Sequence, residues 1–263
     1  MVISKEDEIR ILELYDFPCK IKLGNKYYYI KQNNIDCALK EILGSRLATL
    51  VGLNAAKYDI VGIGTDYYIL SEDISNDGNF VIGEGFITNY SKKYGPVESL
   101  SNLWYFLEKY SDVDKLMFDI TKIYMFDIIL MNFVRHYNNF GILESKEGNK
   151  VYIFDNETLL NHKYLPSITT NTNQEGYYKN NFKIYCDIIL QDVENFLNIS
   201  TSEFVDEFKM IHHLLNPSKV KEEINNVVKE YHFDFCDKKT LEEYETLYYL
   251  LKETLDNYKY KNK

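Results

Sequence analysis

Apolar and polar residues alternate from Lys20 to Lys31 (KIKLGNKYYYIK), and Gly24-Asn25 falls where a tight turn belongs. Strand side chains point alternately to opposite faces, and glycine-containing pairs suit hairpin turns, so the pattern predicts a β-hairpin. The period then changes. Ile35, Ala38, Leu39, Ile42, Leu43, Leu47 and Leu50 recur at three- and four-residue steps. This spacing predicts one amphipathic helix that stops at Gly52. Ala56 to Ile63 and Tyr67 to Leu70 read as two further strands, turned by Gly64-Thr65-Asp66. A passage rich in Asn, Gly and Ser, from Ser71 to about Ser99, reads as a linker.

Beyond it helical spacing dominates. Leu100 to Tyr110 reads as one helix. Ser111-x-x-Asp114 resembles a capping box that opens a second. Val113, Leu116, Met117, Ile120, Ile123 and Tyr124 form its apolar stripe, and it runs to about Met131. Phe140 to Phe154 (FGILESKEGNKVYIF) has the pattern of a second hairpin, with Glu147-Gly148-Asn149 at the tip. From Asn180 onward the chain reads as helical, broken at Asn216-Pro217 and again from His232 to Asp237. The expected layout is a β-rich lobe with one helix over residues 1–75, and a larger helical lobe over 76–263 that carries the second hairpin. A cleft between lobes is a common place for a small-molecule site.

Composition narrows the functional classes. In 263 residues, 45% are hydrophobic and 27% charged, which excludes wholesale disorder, a collagen-like fibre and a disulfide miniprotein. The formal charge of −10, with no local basic patch, disfavours phosphate backbones, so no nucleic acid is expected as a direct partner. Cys19, Cys37, Cys186 and Cys236 are far apart and suggest neither a zinc site nor a redox pair. His212-His213 point apart on a helix and have no third ligand at metal spacing. Tyr244, Tyr248 and Tyr249 read as helix packing. Met1 to Arg10 is charged, unlike a signal peptide, and the longest apolar run, Ile128 to Met131, is far short of the ~18 residues of a membrane span. A cytoplasmic protein with reduced thiols and no membrane partner is expected.

Candidate chemistry concentrates between Phe126 and Leu160. In phosphoryl-transfer proteins a loop Asn and an Asp beyond a short hairpin can together hold Mg²⁺ on nucleotide phosphates, and Asn139 and Asp155 have that placement. On RHYNNFGIL followed by YIFDNETLL, the chain resembles the HipA-like serine/threonine kinases, which read N-x-D-R-H-x-x-N-F-G, a hairpin, then F-D-N. Asn132, Arg135, His136, Asn139, Phe140, Gly141, Phe154, Asp155 and Asn156 match. Upstream, YYYIK with Lys31 resembles the nucleotide-anchoring lysine strand, and Glu41 is similar to the helix glutamate that pairs with it. YYILSEDI (67–74), with Ser71 and Asp73, resembles the strand and hinge on which adenine rests. The resemblance implies an α+β, bilobal, protein-kinase-like fold, ATP and Mg²⁺ as cofactors, and a protein partner or substrate, in the manner of a toxin–antitoxin or phage-related system.

Two positions depart from the family. Val134 stands at the place of its catalytic Asp. Valine accepts no proton, and loss of a general base costs ~10²- to 10⁴-fold in rate. Asp127 is expected two helical turns away, and Arg135 and His136 read as structural. Where the family has a glycine- and serine-rich phosphate-covering loop, this chain has Leu14-Tyr15-Asp16-Phe17-Pro18-Cys19, which offers no backbone nest for phosphates. The expected function is a pseudokinase acting through protein contacts. The alternatives are an altered ATP-dependent phosphotransferase and a scaffold that binds no nucleotide, with Phe17 plugging the phosphate region.

Overall fold

The computed structural model describes residues 19–63, 66–83, 107–133, 135, 137–161, 163, 182, 186 and 201–258. The expectations that rest on Leu14 to Pro18, Gly64-Thr65, Val134, His136, Ser99 and most of the Leu100 to Tyr110 helix lie outside them.

Strands β1 (Cys19–Leu23) and β2 (Lys26–Gln32) form the first hairpin, with Gly24 at φ 61° in the turn. Helix α1 (Ile35–Leu50) follows, and the Asn34 side chain caps it by accepting from the Asp36 N–H at 2.8 Å. Gly52, at φ 78°, turns the chain out of the helix into β3 (Asn54–Ala55), β4 (Tyr58–Ile63) and β5 (Asp66–Glu72). The first sheet has the order β1-β2-β5-β4 and is antiparallel throughout. Ile30 points to one face with Cys19, Val61, Tyr68 and Leu70, a small apolar cluster of its own. By the two-residue period, Tyr29 and Lys31 point to the opposite face.

The passage read as a linker is structured over its first part. Ser71 and Glu72 complete β5, Ile74–Asp77 is a 3₁₀ turn, and β6 (Asn79–Ile82) joins a second sheet. The Asn, Gly and Ser that suggested a loop belong to the turn: Asp73 caps it by accepting from the Ser75 N–H at 2.9 Å. Helix α2 (Val113–Ile129) starts without the expected capping box. Asp112 is its N-cap and makes no side-chain cap bond, because its carboxylate instead accepts from Asn149 Nδ2 at 2.8 Å.

β7 (Phe140–Ser145) and β8 (Gly148–Ile153) form the second hairpin. Its tip is Lys146-Glu147, because Gly148 (φ 110°) already pairs with Ser145. The second sheet runs β3-β8-β7-β6, with two-residue β3 parallel to β8. Helices α3 (Thr201–Leu214), α4 (Pro217–Tyr231) and α5 (Lys238–Asn257) complete the fold. Asn216 caps α4, Pro217 opens it where an N–H would have no intrahelical partner, and His232 ends it at φ 61°. One large core joins α1, α2, the second sheet and α3 to α5. His212 is buried in it, stacked on Tyr248 at 3.8 Å and bonded to the Tyr248 carbonyl. Tyr244 and Tyr248 are buried there too, whereas Tyr249 is exposed. No helix among the described residues is long and apolar enough to cross a membrane.

Candidate functional site

Lys31 leaves β2 on the face away from Ile30 and meets three carboxylates. Its Nζ lies 3.8 Å from Glu41 Oε1, 3.8 Å from Asp155 Oδ1 and 3.8 Å from Glu157 Oε2. Glu41 comes from α1, and the other two from the segment after β8. Their approach depends on Gly44, one helical turn beyond Glu41. A Cβ at Gly44 would lie 2.5 Å from Asn156 Cβ and 2.7 Å from Leu159 Cδ1, so only glycine lets this segment press on the helix. Contact at that distance allows the Asn156 N–H to donate to Glu41 Oε2 at 2.5 Å.

Asp155 adopts φ 59°, in the left-handed region that Asp tolerates better than most residues. Its N–H donates to the Tyr58 hydroxyl oxygen at 3.1 Å, a link from β4 of the first sheet. Beside it the Phe154 N–H donates to the Asn139 carbonyl at 3.0 Å, so the loop Asn and the Asp are neighbours as the sequence suggested. Arg135 fastens the assembly. Its guanidinium grips both oxygens of Asp127 at 2.8 Å and donates to the Asn139 carbonyl at 3.1 Å. It also reaches the Phe154 carbonyl at 2.6 Å and Asn156 Oδ1 at 2.7 Å. Asp127 is therefore not remote from the loop. The chain turns back after α2 and sets Arg135 on it, with Asn132 Nδ2 donating to the same carboxylate at 2.8 Å. With three donors already on its carboxylate and only 6% exposed, Asp127 is turned to Arg135 and Asn132 rather than to a substrate hydroxyl.

Burial sets the electrostatics. Glu41 is 1% exposed, and loss of solvent pushes its carboxyl up to about 8. The Asn156 N–H and Lys31 oppose that rise, while Asp155 and Glu157 add like charge to it. Burial likewise raises the Tyr58 phenol, helped by the Glu41 carboxylate. Burial alone would lower Arg135, but the Asp127 carboxylate outweighs it and raises the guanidinium above its ordinary value.

Above this cluster opens a cavity of about 530 Å³ between the two sheets. Tyr29, Ile69 and Ser71 form the wall from the first sheet, and Phe80, Ile82 and Phe154 the opposite wall. Phe80 and Phe154 meet edge to face at 5.9 Å. Lys31, Glu41 and Asp155 line one part of it and Asp73 another. The Asp73 carboxylate is already engaged: it binds Lys20 and accepts from Ser75 Oγ at 2.7 Å. Those bonds outweigh its burial and hold its pKa below the ordinary value.

A residue that the sequence did not single out is Glu157. Glu41, Asp155 and Glu157 each place a carboxylate oxygen within 4.8 Å of the others, the donor set of a hard divalent cation. Asp155 Oδ1 is buried, accepts no hydrogen bond and has Lys31 Nζ at 3.8 Å, so it has acceptor capacity that a cation could use. The signal for Glu157 was its place two residues beyond Asp155 in FDNE, which pattern alone does not distinguish from a solvated turn.

No protein-family model matches the sequence, and no curated protein does. Solved structures do match. The Helicobacter pylori proinflammatory kinase CtkA is similar at 14% identity, with 90% of each chain covered and a TM-score of 0.57. The Shewanella oneidensis MR-1 toxin–antitoxin system, HipA with HipB and operator DNA, is similar at 14% identity. There 97% of this chain and 71% of the other are covered, with a TM-score of 0.59. These likenesses define the fold: α+β, bilobal and kinase-like in the HipA manner.

Proposed function

We propose that this protein is a HipA-like pseudokinase whose cleft takes ATP with Mg²⁺ and which acts through contact with a protein partner. The observation that carries the reading is the Lys31–Glu41 pair, with Asp155 beside it, lining a cavity of about 530 Å³. An ammonium placed among carboxylates suits the phosphates of a nucleotide and the cation that accompanies them. Lys31 would meet the α- and β-phosphates, and Glu41 would hold Lys31 in place. Asn139 and Asp155 would hold Mg²⁺, with Glu157 within reach. Ser71 and Asp73 would flank the base, between the apolar walls of the cavity. Bound there, Mg²⁺ would favour the ionised form of Glu41, which holds its proton up to about 8 in the free protein, and would screen the phosphates from all three acids.

The pseudokinase part of the reading rests on Val134, at the family's catalytic position, and on the commitment of Asp127 to Arg135 and Asn132. Asp127 is thereby not left to replace the base, and Asp155 is assigned to the cation. The toxin–antitoxin complex among the similar folds makes a protein partner of that kind the natural one to seek. Incubation with labelled ATP tests the absence of transfer. Neither the natural protein nor Val134→Asp is expected to label itself above an Asp155→Asn control. Robust labelling of the natural protein that disappears in Asp155→Asn would make it an altered phosphotransferase instead.

A further inference from the structure

We infer that Tyr58 is the positioning residue for Asp155: its phenol oxygen holds the aspartate backbone in the left-handed conformation that presents the carboxylate to Lys31. The inference deepens the nucleotide reading and rests on it for its functional consequence.

Three observations converge on Tyr58. Asp155 is a non-glycine residue at φ 59°, an uncommon conformation that costs energy even for Asp and that its surroundings must help to hold. The backbone on either side is tied to the loop before β7 and to α1: the Phe154 N–H to Asn139, the Phe154 carbonyl to Arg135, and the Asn156 N–H to Glu41. The Asp155 N–H has the Tyr58 hydroxyl, 97 residues away in sequence and on the first sheet, at 3.1 Å. Without that oxygen the part-buried N–H would lose its acceptor, and relaxation of φ would carry the carboxylate away from Lys31.

Tyr58 is itself well fixed. β4 pairs with β5 along its length, with Tyr58 opposite Ser71. The next residue, Asp59, points to the other face and accepts from the Tyr231 hydroxyl at the end of α4, at 3.1 Å. Successive residues of one strand are thus tied to the segment after β8 and to the C-terminal helices. The Tyr58 hydroxyl carries the position of the first sheet, on which Lys31 rides, to the residue that Lys31 faces.

Tyr58→Phe tests this, because Phe fills the same space and removes only the oxygen. Hydrogen exchange should show the Asp155 amide on the order of tenfold less protected, with the β7 and β8 amides unchanged. The Mg²⁺-dependent part of ATP affinity should fall by a similar factor, and the Mg²⁺-independent part should not move. In an Asp155→Asn background, Tyr58→Phe should cause no further loss of affinity, whereas a purely packing role would add its own. Unchanged exchange at the Asp155 amide in Tyr58→Phe overturns the inference, whatever the binding data. Should the natural protein bind no Mg·ATP, the nucleotide reading fails by itself and amide exchange still decides the role of Tyr58.

Discussion

Arg135 illustrates how a single side chain carries the site. It is 4% exposed against Asp127 at 6%, and it bonds the loop before β7 to the segment after β8. Removing one member of a buried pair leaves the other charge uncompensated, which typically costs about 3–5 kcal/mol. Arg135→Ala should therefore unfold at markedly lower denaturant than the natural protein, and a loss under about 1 kcal/mol would show the pair to be peripheral. Glu41 gives a second residue-scale prediction, in pH. The unfolded chain releases the Glu41 proton near its ordinary 4.5, whereas the folded chain keeps it until about 8. Across that window the unfolded state binds fewer protons, so stability falls as pH rises. Urea titrations at pH 5 and pH 8 should show that fall, and Glu41→Gln should flatten it. Lys31, Glu41 and Asp155, which the structure brings together, were named from the sequence because a resemblance to a motif picks out residue types at set spacings. Tyr58 and Glu157 were not, since a hydroxyl among 24 tyrosines and an acid in a turn acquire meaning only from their neighbours.

At the scale of elements, hydrophobic period was the reliable guide. Both hairpins, α1, α2 and the breaks at Pro217 and His232 follow from it. It failed where local chemistry says little. β3 is two residues long, too short to alternate, and β6 emerges from an Asn- and Gly-rich passage because it borrows its partner, β7, from 65 residues downstream in the Asn79–Glu144 pairing. Gly44 is the position where an element's composition reaches the site. It allows α1 to touch Asn156 and Leu159, and a methyl group there must displace one of them. Overpacking of this kind typically costs about 1–3 kcal/mol. Gly44→Ala ordinarily favours a helix, so a loss of stability together with a shifted Asn156 amide resonance would mark the close approach. A gain of stability with no shift would show the contact to be slack.

Over the whole molecule, two sheets and a helical body are joined in ways that lobe boundaries read along the chain do not show. The first sheet has its own small apolar cluster, yet α1 belongs to the large core, and β3 crosses to the second sheet. Arg46 of α1 pairs with Glu230 at the end of α4 at 2.5 Å, and Tyr67 packs edge to face on Phe233 at 5.1 Å. The C-terminal helices therefore brace the helix that bears Glu41, a link that no local pattern announces. The cleft so held concentrates carboxylates around one lysine in a chain of formal charge −10, and ATP should enter it more tightly with its charge screened. Calorimetric titration with ATP, with and without Mg²⁺, tests that account most directly. Binding is predicted with Mg²⁺, reduced at least tenfold without it and weakened in both conditions by Lys31→Met, while Asp155→Asn should lose the Mg²⁺ dependence. Absence of binding up to about millimolar ATP, an affinity weaker than about −4 kcal/mol, would contradict the account and leave the fold as a scaffold alone.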